Sequence, residues 1–120
     1  MRFDVTIFPD KLSTAAPLAR QVEEYGFSGM WTSETAHNPF FPLTHAAAVT
    51  QRILLGTAIA VAFPRSPMIT AQIAWDLAEQ SGGRFVLGLG TQVKTHIVRR
   101  FSTEWSSPAP RLREYIASLR

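Results

Sequence analysis

The stretch Ser81-Gly82-Gly83-Arg84-Phe85-Val86-Leu87-Gly88-Leu89-Gly90-Thr91 is the most informative part of this sequence for the fold. Its first two glycines follow a helical pattern, and glycine in this place ends a helix by adopting a left-handed conformation. The run Phe85–Leu89 is apolar without alternation, which is typical of a strand covered on both faces. Such strands occur in folds of repeated βα units, whose sites lie in the loops at the carboxyl ends of the strands.

Three further strand-like segments precede this one at similar intervals, and helical patterns separate them. The predicted strands are Phe3–Phe8, Gly29–Ser33, Leu54–Val61 and Phe85–Leu89, and the predicted helices are Thr14–Tyr25, Leu43–Gln51, Pro67–Gly82 and one that starts near Pro108 or Pro110. A βαβ unit takes about 30 residues, so this spacing predicts parallel strands with helical crossovers. The large side chains of Met30, Trp31 and Trp75 are predicted to pack in the core or between helices and sheet.

The predicted fold class is therefore α/β. Residues 1–120 are expected to form one partial domain of about four parallel βα units, the first half of a TIM (β/α)₈ barrel. A closed barrel takes about 250 residues. An open half leaves sheet edges unpaired and an apolar face uncovered. We therefore expect either the remainder of a longer barrel or association into a homo-oligomer.

Composition excludes several classes of protein. The chain is 46% hydrophobic and 18% charged, as folded globular domains are. It has no cysteine, which excludes disulfides, iron–sulfur clusters and thiol catalysis. No signal peptide and no bilayer-length apolar run is evident, so a cytoplasmic protein without a membrane partner is expected. The net charge of +3 favours a solvated basic surface over a nucleic-acid interface, because no nucleic-acid motif accompanies it.

Three segments resemble, in this order, the bacterial luciferase-like oxidoreductase superfamily. They are Gly26–Glu34, Arg52–Ala58 with the following Pro64-Arg65-Ser66-Pro67, and Ser81–Gly90. The segments Thr91–Ile97 and Arg111–Tyr115 resemble the branch that uses the deazaflavin coenzyme F420. The resemblance implies a barrel that holds coenzyme F420, or alternatively FMN, at the carboxyl ends of its strands. Deazaflavin members exchange a hydride with a small organic substrate, whereas FMN members let the reduced flavin react with oxygen.

The resemblance also implies two catalytic residues. Glu34 matches an acidic position just after the second strand, where it would accept a hydrogen bond from a neighbouring acid or orient it. The alternative is a loop carboxylate paired with Lys or Arg. His37 is the candidate for proton transfer, because imidazole titrates near neutral pH. Many deazaflavin members carry a histidine directly after the acidic residue, where Thr35 stands in this chain, and the alternative for His37 is a surface or packing role.

Four residues are implied to bind the cofactor. Ala58 and Ile59 match the position of a non-proline cis peptide bond that supports the flavin ring. Gly90 would allow close approach of the cofactor, and Thr91 would donate a hydrogen bond from its hydroxyl group. Val93 stands where some deazaflavin dehydrogenases carry a catalytic glutamate, which disfavours a sugar-phosphate dehydrogenase.

The sequence thus predicts part of a luciferase-like oxidoreductase, with coenzyme F420 as the cofactor and a small molecule as the substrate. Three scattered histidines without cysteine give no metal site. The alternatives are an FMN-dependent monooxygenase, a catalytically inactive half-barrel that serves as a fragment or assembly module, and, with only mild basicity in its favour, a nucleic-acid binding module.

Overall fold

Parallel strands alternate with crossover helices along the whole chain in the computed structural model, which describes residues 1–120. The strands are β1 (Asp4–Ile7), β2 (Gly29–Thr32), β3 (Leu54–Thr57), β4 (Ala60–Val61), β5 (Phe85–Val86) and β6 (Leu89–Gly90). The helices are α1 (Ala15–Glu24), α2 (Phe41–Val49), α3 (Pro67–Gln80) and α4 (Pro108–Ser118). A 3₁₀ turn at Leu12–Thr14 precedes α1, and a π-helical turn at His96–Arg100 lies between β6 and α4.

Every strand pairing in the molecule is parallel. One sheet has the order β1-β2-β3-β5, and β4 pairs with β6 in a second, two-stranded sheet. Since each parallel pair needs a crossover, a helix separates every two neighbouring strands of the larger sheet. The predicted α/β class with parallel βα repeats is confirmed.

The predictions of Leu54–Val61 and Phe85–Leu89 as unbroken strands are wrong. The ladder is interrupted because the Thr57 hydroxyl donates to the Gly88 carbonyl at 2.7 Å and accepts from the Gly88 N–H at 2.9 Å. The Thr57 side chain therefore makes the hydrogen bonds to Gly88 that the backbone of β3 would make in an unbroken ladder. The approach requires glycine, since a Cβ on Gly88 would lie 1.9 Å from the Thr57 carbonyl oxygen. Pairing resumes beyond this point, where Ala60 lies beside Leu89.

The helices begin and end near the predicted residues. Gly26 and Gly82 follow α1 and α3 with φ of 82° and 65°, the left-handed conformation expected of them. Helix α3 begins at Pro67, and the Ser66 hydroxyl caps it by accepting from the Ile69 N–H at 3.2 Å. Helix α2 begins at Phe41, earlier than the predicted Leu43. None of the helices is both long enough and apolar enough to cross a membrane.

The main core lies between the larger sheet and helices α1 to α3. Met30, Leu43 and Leu55 are fully buried there, which confirms the prediction for Met30. The prediction for Trp75 is wrong, because its side chain is 77% exposed on α3. The face of α3 that packs against the core carries Leu77 instead. A smaller cluster beneath α4 contains Val61, Ala62, Phe63, Ile97 and Tyr115.

Two charged side chains fasten the amino-terminal ends of the strands. The Glu23 carboxylate accepts hydrogen bonds from the backbone N–H groups of residues 51, 52 and 53 at 2.8 to 3.1 Å. The Arg84 guanidinium donates to the carbonyls of Ser81, Thr50 and Ile53 at 2.7 to 2.9 Å. Burial by itself would raise the pKa of Glu23, but the three N–H donors and the charge of Arg52 outweigh it and hold that pKa below its ordinary value.

Candidate functional site

The carboxyl ends of the parallel strands bring the predicted site residues to one rim of the sheet. Glu34 and His37 lie in the loop Ser33–Phe40, which joins β2 to α2. Ala58 and Ile59 lie between β3 and β4, and Gly90 ends β6. Strands that run in one direction deliver their following loops to a common edge, which is where barrel enzymes carry their sites.

The Glu34 side chain is buried in an ion pair with Arg65. Its two carboxylate oxygens accept from the two terminal nitrogens of Arg65 at 2.8 Å each, and Oε2 also accepts from the Val61 N–H at 2.6 Å. The side chains of Arg65 and Glu34 are only 15% and 7% exposed. The predicted position of Glu34 beyond β2 is confirmed, and its pairing with an arginine corresponds to the alternative interpretation, except that the pair is buried. Its catalytic role stays a prediction.

The bond between Ala58 and Ile59 is a cis peptide bond, as the resemblance implied. The residues beyond β2 hold this segment on both sides. The Ser33 hydroxyl donates to the Ala58 carbonyl at 2.5 Å, and the Glu34 N–H donates to the Ile59 carbonyl at 3.0 Å. Ala58 is exposed and Ile59 is half-buried, so the segment presents a small apolar surface at the rim.

Gly90 lies directly against Ile59. A Cβ on Gly90 would lie 2.5 Å from Ile59 Cδ1, so packing within the protein already accounts for a glycine at this position. The adjoining Thr91 is half-buried, and its hydroxyl donates to the Gln92 carbonyl at 3.3 Å, a long and weak hydrogen bond. The Thr91 hydroxyl is therefore held only loosely by the protein.

His37 lies apart from this group, at the exposed tip of its loop. The loop is closed at its base, because the buried Thr32 hydroxyl donates to the Pro39 carbonyl at 2.7 Å and the Phe40 N–H donates to Asn38 Oδ1 at 2.9 Å. His37 lines a small cavity of about 150 Å³ between the ends of β1 and β2, together with Asp10. The structure thus joins Ser33 to Ala58 and Glu34 to Ile59, while the carboxylate of Glu34 is directed at Arg65 and not at His37.

Four residues lie side by side on the sheet face opposite the helices, one on each strand. We call this row the barrel floor: Thr6, Trp31, Gly56 and Val86. The Trp31 indole N–H donates to Asp4 Oδ2 at 3.0 Å. The ring of Trp31 covers Gly56 so closely that a Cβ there would lie 2.3 Å from Trp31 Cζ3. The Trp31 ring therefore occupies the space that a side chain at position 56 would need.

Tyr115 of α4 lies near Arg65, and both residues line a second surface cavity. Its hydroxyl shares a 2.5 Å hydrogen bond with the buried Thr70 hydroxyl. Burial raises the pKa of Tyr115, and the hydrogen bond with Thr70 and the charge of Arg65 oppose that rise in part. Arg65 is thus the residue of this region whose role sequence reasoning missed. The signal was the segment Pro64-Arg65-Ser66-Pro67, which belongs to the family resemblance but does not show what Arg65 contacts.

Comparison with known proteins assigns the family. The family model described as luciferase-like monooxygenase matches residues 2–120. The chain belongs to the luciferase-like monooxygenase family. A Mycobacterium tuberculosis protein of uncharacterized function is 54% identical over 112 residues, which are 93% of this chain and 33% of that protein. The chain thus spans about one third of the length of the curated relatives that it matches.

Two relatives in the luciferase-like family have named activities. A Mycobacterium tuberculosis protein named as a coenzyme F420-dependent oxidoreductase is 33% identical over 88% of this chain and 30% of its own. The 5,10-methylenetetrahydromethanopterin reductase of Methanolobus tindarius is 32% identical over the whole chain and 37% of its own. Family members of this kind are oxidoreductases.

Solved structures of the family share the fold. The coenzyme F420 dependent tetrahydromethanopterin reductase from Methanopyrus kandleri superimposes with a TM-score of 0.81 at 27% identity, over 96% of this chain and 38% of its own. A type II Baeyer–Villiger monooxygenase from Pseudomonas putida, solved with FMN, has a TM-score of 0.85 at 18% identity, over 99% of this chain and 38% of its own. At that identity the second likeness shows the barrel fold alone.

Proposed function

We propose that this chain supplies the first βα units of a coenzyme F420-dependent oxidoreductase, which transfers a hydride between the deazaflavin and a small organic substrate. The observation that carries the proposal is that three relatives at 30% identity or more are named as an F420-dependent oxidoreductase and as methylenetetrahydromethanopterin reductases. The FMN-bound structure supports the fold only, so an FMN-dependent monooxygenase is the alternative outcome of the test.

The rim has the features that a flat cofactor ring needs. The exposed Ala58 and half-buried Ile59 offer a small apolar surface, and both are fixed by hydrogen bonds to the loop after β2. The loosely held hydroxyl of Thr91 is free to donate to a ring carbonyl or a phosphate oxygen. When bound, a reduced deazaflavin supplies the hydride, while the protein orients it.

His37 and Glu34, the two residues assigned to catalysis, have different tasks in this proposal. His37 holds or moves a proton at an imidazole nitrogen, since it is exposed beside a cavity at the rim. Glu34 accepts three hydrogen bonds within the protein and acts by orientation, because its carboxylate is already occupied. Gly90 contributes by leaving room for Ile59.

Titration of the purified protein with coenzyme F420 and with FMN, followed by cofactor fluorescence, tests the assignment. We expect coenzyme F420 to bind at least about tenfold more tightly than FMN, a difference of about 1.4 kcal/mol. Thr91→Val should weaken F420 binding by about threefold to tenfold, which is the contribution of one neutral hydrogen bond. Thr44→Val, on helix α2 and likewise half-buried, is the matched control. Tighter binding of FMN, or binding of neither cofactor, would overturn the proposal.

The role of His37 has its own test. With a substrate that the F420-loaded protein reduces, His37→Gln should lower the rate of hydride transfer by about 100-fold or more and leave F420 affinity unchanged. His45→Gln, an exposed histidine on α2, is the control and should retain the wild-type rate. Equal rates for both variants would remove His37 from the proposed chemistry.

A further inference from the structure

Arg65 contacts three residues at the rim: Glu34, Val61 and Phe40. Its guanidinium donates to both carboxylate oxygens of Glu34 at 2.8 Å and to the Val61 carbonyl at 2.9 Å. The same group lies over the ring of Phe40, with its carbon 5.3 Å from the ring centroid. One side chain from the segment before α3 therefore joins both ends of the loop after β2 to strand β4.

Only an arginine fits this arrangement. The planar guanidinium offers two parallel N–H donors to a carboxylate and still presents a face to an aromatic ring. Both oxygens of Glu34 receive such a donor, and Phe40 lies against the guanidinium. A lysine at position 65 would preserve the charge, but it would lose the paired donors and the planar face.

The pair also determines where Glu34 lies. Its side chain is 7% exposed, and a buried carboxylate without a countercharge is strongly destabilised. Glu34 in turn contacts both sides of Ala60, since its N–H donates to the Ile59 carbonyl and its Oε2 accepts from the Val61 N–H. If Arg65 were lost, the carboxylate would move toward water and release the Val61 N–H, which would leave the backbone hydrogen bond to Ile59 without this support.

We propose that Arg65 is a positioning residue that holds the Glu34 loop and the Ile59–Val61 backbone in one arrangement at the rim. The effect of Arg65 on ligand binding rests on the proposed function, because the proposed function places a cofactor beside Ala58 and Ile59. The effect of Arg65 on the backbone is independent of the proposed function. The two effects are measured separately.

The experiment compares Arg65→Met and Arg65→Lys with Arg84→Met in the purified protein. Arg84 is the matched control, because it also donates several hydrogen bonds to backbone carbonyls but lies at the opposite ends of the strands. Hydrogen–deuterium exchange is measured over residues 33–40 and 59–62, and F420 affinity is measured by fluorescence. Urea unfolding of each variant gives the loss of global stability, against which the local changes are compared.

We expect Arg65→Met to speed exchange in both segments and to weaken F420 binding by about tenfold or more, equivalent to about 1.4 kcal/mol. Arg65→Lys should recover part of both losses through its charge. Arg84→Met should lower global stability without these local changes. Should Arg65→Met fail to fold, Arg65→Lys and Glu34→Gln are compared with Arg84→Lys by the same measurements.

Two results would overturn the inference: equal exchange at the rim in the Arg65 and Arg84 variants, or F420 affinity in Arg65→Met equal to that of the wild type. If the wild-type protein binds neither F420 nor FMN, the proposed function fails by itself. The exchange comparison then decides the role of Arg65 alone.

Discussion

Replacing Glu23 by glutamine removes the charge from a carboxylate that accepts hydrogen bonds from three consecutive backbone N–H groups, those of Gln51, Arg52 and Ile53. A hydrogen bond to a charged group contributes about 1.5 to 3 kcal/mol. The site is partly open to water, and the glutamine oxygen retains some of the hydrogen bonding. We therefore expect Glu23→Gln to lower the free energy of unfolding by about 1 to 2 kcal/mol near neutral pH.

The size of this loss should depend on pH. The pKa of Glu23 in the folded protein lies below its ordinary value of 4.5. A carboxyl group of this kind stabilises the folded state above its unfolded-state pKa, and that contribution is lost as the pH falls through the folded-state pKa. The stability difference between wild type and Glu23→Gln should therefore be complete at neutral pH and shrink as the pH falls below 4.5.

Urea unfolding followed by tryptophan fluorescence, at neutral pH and in acid, measures both quantities. Glu24→Gln is the matched control, because Glu24 is the neighbouring residue and is exposed. It should change stability by less than about 0.5 kcal/mol at either pH. The reasoning is refuted if Glu23→Gln and Glu24→Gln are equally stable at neutral pH, or if the deficit of Glu23→Gln is as large in acid as at neutral pH.

Three further substitutions test the packing. Gly56→Ala should destabilise the protein by about 1 to 3 kcal/mol in urea unfolding, because the new methyl group would overlap the ring of Trp31. Tyr115→Phe should cost about 1 to 2 kcal/mol, since it leaves the buried Thr70 hydroxyl without its partner. Subtracting the alkaline absorbance titration of this variant from that of the wild type isolates Tyr115, whose pKa should lie above 10.0. The stability that neutral Tyr115 contributes should be lost as the pH rises through that raised pKa. Thr32→Val should speed proteolysis of the loop after β2, whereas an unchanged cleavage rate would contradict its role at the base of that loop.

The order of the fold was predictable because each element carries its own local signal. Gly26 and Gly82 end helices, and Pro67 begins one, through backbone preferences that need no tertiary contact. The interruption after Thr57 was not predictable in this way. It depends on a hydroxyl that reaches the backbone of residue 88, a contact 31 positions away in the sequence. Side-chain size likewise misplaced Trp75, because a large hydrophobic side chain in a helix does not by itself lie on the buried face.

The candidate site was predictable to the level of position but not of contact. Parallel strands bring Glu34 and Ile59 to the same rim whatever their side chains do. The direction of the Glu34 carboxylate depends on Arg65, which lies on a different element and carries no sequence pattern that names its partner. Ionic and side-chain hydrogen-bond partners are chosen in three dimensions, so a single sequence leaves them open.

Because the Trp31 ring lies against Gly56 on the neighbouring strand, the side chains at positions 31 and 56 compete for the same space. A larger residue at position 56 fits only if the residue at position 31 becomes smaller, so we expect the sizes at these positions to vary inversely among related sequences. A double-mutant cycle should show the same coupling, with a smaller aromatic residue at 31 restoring stability lost through alanine at 56. Engineering that aims to deepen the space above the sheet therefore has to change both positions together.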